Sequence, residues 1–128
     1  MNKERILALA DLIESQPEHR FDMNSSDNPA CGSAACIGGW ADWMRMKVHK
    51  ASIRANPVYV DFTAAANWLK MEENGREFQM LCFPEEIGGP NYRDISKAAA
   101  VRALRKLAET GEVDWDWAIA EGGQVLIT

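Results

Sequence analysis

The sequence predicts a mainly α protein, folded as a single compact domain of about five helices over residues 1–128. Apolar residues recur at helical spacing in several separate segments, whereas the alternation typical of strands is confined to short stretches. A length of 128 residues is typical of one domain, and 47% hydrophobic with 26% charged residues is an ordinary globular composition. A small two-stranded β element, formed by residues 58–62 and 124–128, is compatible with this fold.

The first helix is predicted over residues 3–15. Ile6, Leu9 and Ile13 fall on one face at helical spacing, and charged residues occupy the opposite face. Pro17 ends the helix, because the residue before a proline is disfavoured in helical geometry.

The second helix is predicted over residues 33–46, with Ser33 as its N-cap. Its apolar residues surround most of the helix, which is typical of a buried helix. We therefore expect it at the centre of the fold, with the first helix and a helix at 97–110 packed on it. Gly38 and Gly39 each cost about 1 kcal/mol relative to alanine in a helix interior. We expect that cost to be offset by a neighbouring helix or an aromatic ring that closely approaches the two glycines.

Two shorter helical segments are predicted in the middle of the chain. Asp61 or Thr63 is a suitable cap for the first of them, and Asn74-Gly75 is a suitable C-terminal end. Residues 78–83 form a short apolar piece of one or two helical turns, which Pro84 closes.

The clearest helical pattern of the chain covers residues 97–110. Ser96 or Asp94 is its predicted cap, and Gly111 is suited to the left-handed conformation that ends many helices. A last short helix is predicted from Asp114 through residue 121, with Trp115 and Ile119 one turn apart.

The charge of the chain is unevenly distributed. The net charge is −5; residues 1–54 hold seven basic and seven acidic side chains, and residues 55–128 hold seven basic and twelve acidic ones. This balance disfavours a protein whose affinity depends on phosphates, and it favours either solubility or a basic protein partner. We expect no membrane partner, because no apolar run reaches the length of a bilayer span. An odd number of cysteines and an N-terminus without a secretory pattern predict a cytoplasmic protein.

The cysteines and histidines supply the main chemical candidates. Cys31 precedes a predicted helix start, where the helix dipole favours the thiolate, so Cys31 is the candidate reactive thiol. Catalysis also needs a base, and the sequence places neither His19 nor His49 beside it. Cys31 and Cys36 have four residues between them rather than the two of a zinc knuckle, and Cys82 has no second partner nearby in sequence. We therefore expect no metal, no cofactor and no catalytic residue.

Two groups of residues are candidates for an interaction surface. One is a basic stretch at residues 45–54 that contains no acid, and the other is a pair of tryptophans in a polar segment. Tryptophan and arginine are frequent anchors of interfaces. The candidate residues are Arg45, Lys47, Lys50, Arg54, Trp115 and Trp117.

Two blocks of the sequence resemble small uncharacterised proteins of phages and prophages. The block Cys31-Gly-Ser-Ala-Ala-Cys-Ile-Gly-Gly-Trp-Ala41 resembles their Cys-Gly-Thr-x-Ala-Cys-Ile-Ala-Gly-His-Ala segment. The block from Asp94 to Trp115 resembles their alanine-rich helix followed by Leu-Ala-x-Thr-Gly-Glu-Val-Asp-Trp, and the resemblance extends to the N-terminal helix and the piece at 20–23. Trp40 stands where the pattern often has histidine, which weakens a Cys/His site. The resemblance implies a phage or prophage accessory protein in a bacterial cytoplasm, and it implies no activity.

Three hypotheses of function follow from these observations. The first is a non-enzymatic accessory protein that binds and modulates a host or phage protein. The second is a small cysteine-dependent enzyme or redox-sensitive domain that uses Cys31. The third is a nucleic-acid-binding module that uses residues 45–54. The acidic charge and the absence of a complete catalytic motif favour the first. The sequence leaves the oligomeric state open.

Overall fold

Six α-helices account for most of the chain that the computed structural model describes, which is residues 1–27, 29, 33–48 and 60–123. The predicted mainly α class is confirmed, with one more helix than expected within these residues. Short 3₁₀ turns at Glu18–Arg20, Pro84–Ile87 and Tyr92–Asp94 connect some of the helices. The helices are Lys3–Ser15 (α1), Ile37–Val48 (α2), Phe62–Leu69 (α3), Arg76–Cys82 (α4), Lys97–Thr110 (α5) and Trp115–Gly123 (α6).

The helices α1 and α5 have the bounds that the sequence predicts, because local signals define their ends. The side chain of Asn2 accepts a hydrogen bond from the backbone of Arg5 at 3.0 Å and caps α1. Ser96 caps α5 through a 3.0 Å bond from the backbone of Ala99. Gly111 ends α5 with a φ of 83°, in the left-handed region that favours glycine.

The helix α1 joins two halves of the molecule, one containing α2 and α3 and the other containing α5 and α6. It packs mainly against α5 and also contacts α2 and α3, while α5 packs on α6 and α2 packs on α3. The expectation that the helix 97–110 packs on the central helix is therefore wrong, because the apolar face of α5 faces α1. The buried side chains still form one core cluster that includes both halves. Within the described residues, no helix has the length and apolar character that a bilayer crossing requires.

The helix α2 begins four residues later than its predicted start. Ala35 lies in an extended segment that forms an isolated parallel bridge with Phe21, so the chain cannot be helical there. Cys36 takes the capping position that was predicted for Ser33. The carbonyl of Cys36 accepts from the backbone of Trp40 at 3.0 Å, and its Sγ accepts from the N–H of Gly39 at 3.4 Å.

The two glycines of α2 allow other residues to lie very close to the helix, as expected from the cost of placing glycine there. A Cβ added at Gly38 would lie 2.8 Å from Cδ1 of Phe62 and would also meet Cε1 of the same ring. A Cβ added at Gly39 would lie 2.9 Å from the Cβ of Ala35 and 3.3 Å from Cγ2 of Val60. An aromatic ring therefore covers Gly38, and the expected close approach of a ring is confirmed.

The predicted strand at residues 58–62 is wrong where the structure describes it. The side chain of Asp61 caps α3 through a 2.9 Å bond from the backbone of Ala64, and Phe62 is already helical. Residues 58, 59 and 124–128 lie outside the described residues. The predicted end of this helix at Asn74-Gly75 is also wrong, because Lys70 ends α3 with a φ of 60°.

Replacement of Gly38 by alanine tests the close approach. We expect Gly38→Ala to lower the free energy of unfolding by about 1–3 kcal/mol, the usual cost of overpacking a core. The same substitution in an unobstructed helix would raise stability by about 1 kcal/mol. Urea unfolding of the two proteins measures the difference.

The matched control is the pair Phe62→Leu and Gly38→Ala/Phe62→Leu. Because the clash is with the Phe62 ring, Gly38→Ala should lower the free energy of unfolding less when residue 62 is leucine. The interaction energy between the two substitutions should exceed about 0.5 kcal/mol. A more stable Gly38→Ala protein would contradict the packing described here.

Candidate functional site

An acidic cleft of about 530 Å³ lies between the start of α6 and the loop that follows α4. Glu112, Asp114 and Asp116 line one side, and Arg76 supplies a positive charge. Arg76 is itself bonded to the carboxylate of Glu77 at 2.6 Å, which offsets its charge. Within the described residues, no ion pair involves Glu112 or Asp116. The cleft therefore has a negative electrostatic character.

Two hydrogen bonds position the start of α6 against α4. The indole Nε1 of Trp115 donates to the carbonyl of Met80 at 2.6 Å, and the backbone of Val113 donates to Oε2 of Glu77 at 3.0 Å. Trp115 is only 3% exposed. These contacts make Trp115 a buried support of the cleft wall that it lines.

The opposite wall is the loop after Pro84. A Cβ at Gly89 would lie 2.9 Å from both Sδ of Met80 and the carbonyl oxygen of Pro84, so only glycine allows the loop to close this tightly. The side chain of Glu85 accepts from the backbone of Tyr92 at 2.9 Å, and Glu86 accepts from the Tyr92 hydroxyl at 3.1 Å. Burial, together with the bond to Glu86, raises the pKa of Tyr92 to about 12. The loop is thus fixed at both ends.

Trp117 forms an exposed apolar edge beside the cleft. Asp114 caps α6 by accepting from the backbone of Trp117 at 3.0 Å. The ammonium of Lys106 lies 3.6 Å from Asp114 and 4.3 Å from the centroid of the Trp117 ring. This cation–π contact orients a ring that stays 37% exposed. Ile87, 43% exposed, directly precedes the loop glycines that line the other wall.

The two tryptophans of the predicted interaction surface therefore differ. The structure exposes Trp117 and buries Trp115, so Trp115 does not present its ring to a partner. The sequence held a signal for this difference. Trp115 and the partly buried Ile119 are four residues apart and share the core-facing side of α6, whereas Trp117 lies off that side.

Arg45 and Lys47, the basic residues of this stretch that the structure describes, both contact other residues of the protein. Nε and Nη2 of Arg45 bind Oδ1 of the fully buried Asp42 at 3.0 and 2.8 Å. The ammonium of Lys47 lies 5.0 Å from the ring centroid of Trp43. The expectation that Arg45 contributes to an interaction surface is therefore not supported, because its guanidinium neutralises a buried carboxylate. Lys50 and Arg54 lie outside the described residues.

The cysteines are arranged in a way that sequence spacing does not predict. Cys31, the candidate reactive thiol, lies outside the described residues, as does His49; His19 is exposed. Cys36 and Cys82 are both free, 2% exposed and lie in one cavity. Burial raises the pKa of both thiols, so both are protonated at neutral pH. No group of three or more His, Cys, Asp or Glu side chains within the described residues is arranged to hold a metal ion.

Comparisons with protein-family models, with curated proteins and with solved structures find no match to this chain.

Loss of the Arg45 guanidinium should affect stability strongly. We expect Arg45→Met to lower the free energy of unfolding by about 3 kcal/mol, because the charge of Asp42 stays buried after its partner is removed. Lys47→Met is the matched control, since the exposed Lys47 should change stability by less than about 0.5 kcal/mol. Urea unfolding distinguishes the two. Equal, small effects would show that Arg45 is a surface residue.

Proposed function

We propose that the protein is a non-enzymatic binding protein whose acidic cleft takes a basic segment of a partner protein. The observation that carries this proposal is the combination, at one place, of the carboxylates of Glu112 and Asp116 with the exposed ring of Trp117. A charged cleft with an aromatic anchor at its edge is a common basis for protein recognition.

The charges of the cleft define the chemistry of the partner. A lysine- or arginine-rich segment would meet Glu112 and Asp116 at the rim, where the net charge of −5 of the chain also favours its approach. These carboxylates mainly raise the association rate and select against acidic partners. Binding should therefore weaken as the salt concentration rises.

The apolar residues at the edges supply the remaining affinity. Trp117 and Ile87 stay exposed although most large apolar side chains of the described residues are buried. The contact with Lys106 limits the movement of the Trp117 ring, so little conformational freedom is lost when a partner packs on it. An arginine of the partner is well suited to stack on such a ring.

The biological setting belongs to the same proposal. The resemblance of the blocks at 31–41 and 94–115 to phage and prophage proteins supports an accessory protein that acts in the cytoplasm of a bacterial host. A small binding protein in that setting would modulate or inhibit a host protein, or a phage protein, by occupying its basic segment.

The test is affinity capture from a host lysate with the wild type and four variants. The cleft variant is Glu112→Gln/Asp116→Asn. Its matched control is Glu4→Gln/Glu18→Gln, which changes the net charge equally at exposed positions that do not line the cleft. Trp117→Ala is compared with Leu7→Ala, which removes an exposed apolar side chain elsewhere.

A partner bound by the wild type and both controls, but lost by the cleft variant, would support the proposal. Trp117→Ala should weaken that binding by about 2 kcal/mol, roughly 30-fold in Kd. Equal capture by the cleft variant and its control, or no saturable partner at low salt, would reject it.

A further inference from the structure

Two cysteines, one directly before α2 and one at the end of α4, line one cavity that shares no lining residue with the acidic cleft. Cys36 directly precedes α2, and Cys82 ends α4. Both line a cavity of about 190 Å³, and the thioether residue Met23 lines it as well. Tyr92 and Glu86 are among its polar lining residues. Most buried cysteines pack simply as small apolar residues, so the positions of the two sulfurs decide whether this pair can do more.

The first turn of α2 lies next to both sulfurs. Sγ of Cys36 accepts from the N–H of Gly39 at 3.4 Å. A Cβ added at Gly38 would lie 3.4 Å from Sγ of Cys82. Both sulfurs therefore lie beside the same helical turn, next to the consecutive residues Gly38 and Gly39. Their mutual electrostatic effect is consistent with this proximity, since it adds to burial in raising the pKa of Cys82.

We propose that Cys36 and Cys82 form a site for a single Cu(I) ion, bound between the two sulfurs. Thiolate and thioether ligands select soft ions such as Cu(I), for which two sulfur ligands are sufficient. A structural Zn(II) site requires four protein ligands, and the described residues offer no group of even three. The chemistry of the cavity therefore favours copper over zinc.

The binding step is balanced without an oxidant or a reductant. The S–H bonds of the two cysteines break, two Cu–S bonds form, and two protons leave to the solvent. Copper remains Cu(I), and the dithiolate complex carries one negative charge. The N–H group of Gly39 and the positive end of α2 face the sulfur of Cys36 and stabilise that charge. This is the feature that distinguishes the pair from two thiols in an ordinary core.

The experiment uses the full chain with Cys31→Ser, which removes the third cysteine. Cu(I), supplied without oxygen as its bicinchoninate complex, is titrated with the protein, and the loss of colour reports transfer. We expect one Cu(I) per chain, and we expect no transfer to Cys31→Ser/Cys36→Ser or to Cys31→Ser/Cys82→Ser. Zn(II) offered to the same protein should not bind with similar affinity.

A second measurement covers the case in which the serine variants are poorly folded. One equivalent of Cu(I) should raise the Tm of Cys31→Ser, because a ligand that binds the folded state stabilises it. The proposal is overturned if Cys31→Ser removes no copper from bicinchoninate and shows no change in Tm. Copper uptake that persists in a folded variant lacking Cys36 or Cys82 overturns it as well.

Discussion

The segment at residues 60–62 docks on one face of α2, and the arrangement of α2, α3 and α4 depends on this contact. The ring of Phe62 lies against Gly38, Val60 packs on Gly39, and the backbone of Asp61 donates to Oδ2 of the buried Asp42 at 3.0 Å. The first contact requires the absence of a Cβ, and the second is tight enough to be favoured by it. The third fixes the depth of the approach through a charge-assisted bond. Apolar packing and a buried polar contact therefore both hold residues 60–62 at one position on α2.

Both candidate sites follow from that docking. Phe62 also packs on Phe83, with ring centroids 4.7 Å apart, and so attaches the end of α4 to α2. This contact brings Cys82 to the cavity that Cys36 lines, and it directs the loop after Pro84 toward the wall of the acidic cleft. The cleft and the dithiol cavity are thus two consequences of one packing arrangement, although their chemistry is independent.

The sequence predicts those parts of the fold that local signals define. The helices α1 and α5 match their predicted bounds because a following proline, a capping serine and a terminal glycine act within one turn. The start of α2 is missed because Ala35 pairs with Phe21, a contact between distant residues. The presence of Cys36 and Cys82 in one cavity is missed for the same reason, since only the folded chain brings the start of α2 close to α4.

Native-state hydrogen exchange of the Asp61 amide tests the central role of this docking most directly. If residues 60–62 belong to the cooperative core, that amide should exchange with the same opening free energy as the amides of α1, and this energy should equal the global free energy of unfolding. Fast exchange at Asp61 while α1 stays protected would show that the segment opens by itself, and would contradict the account.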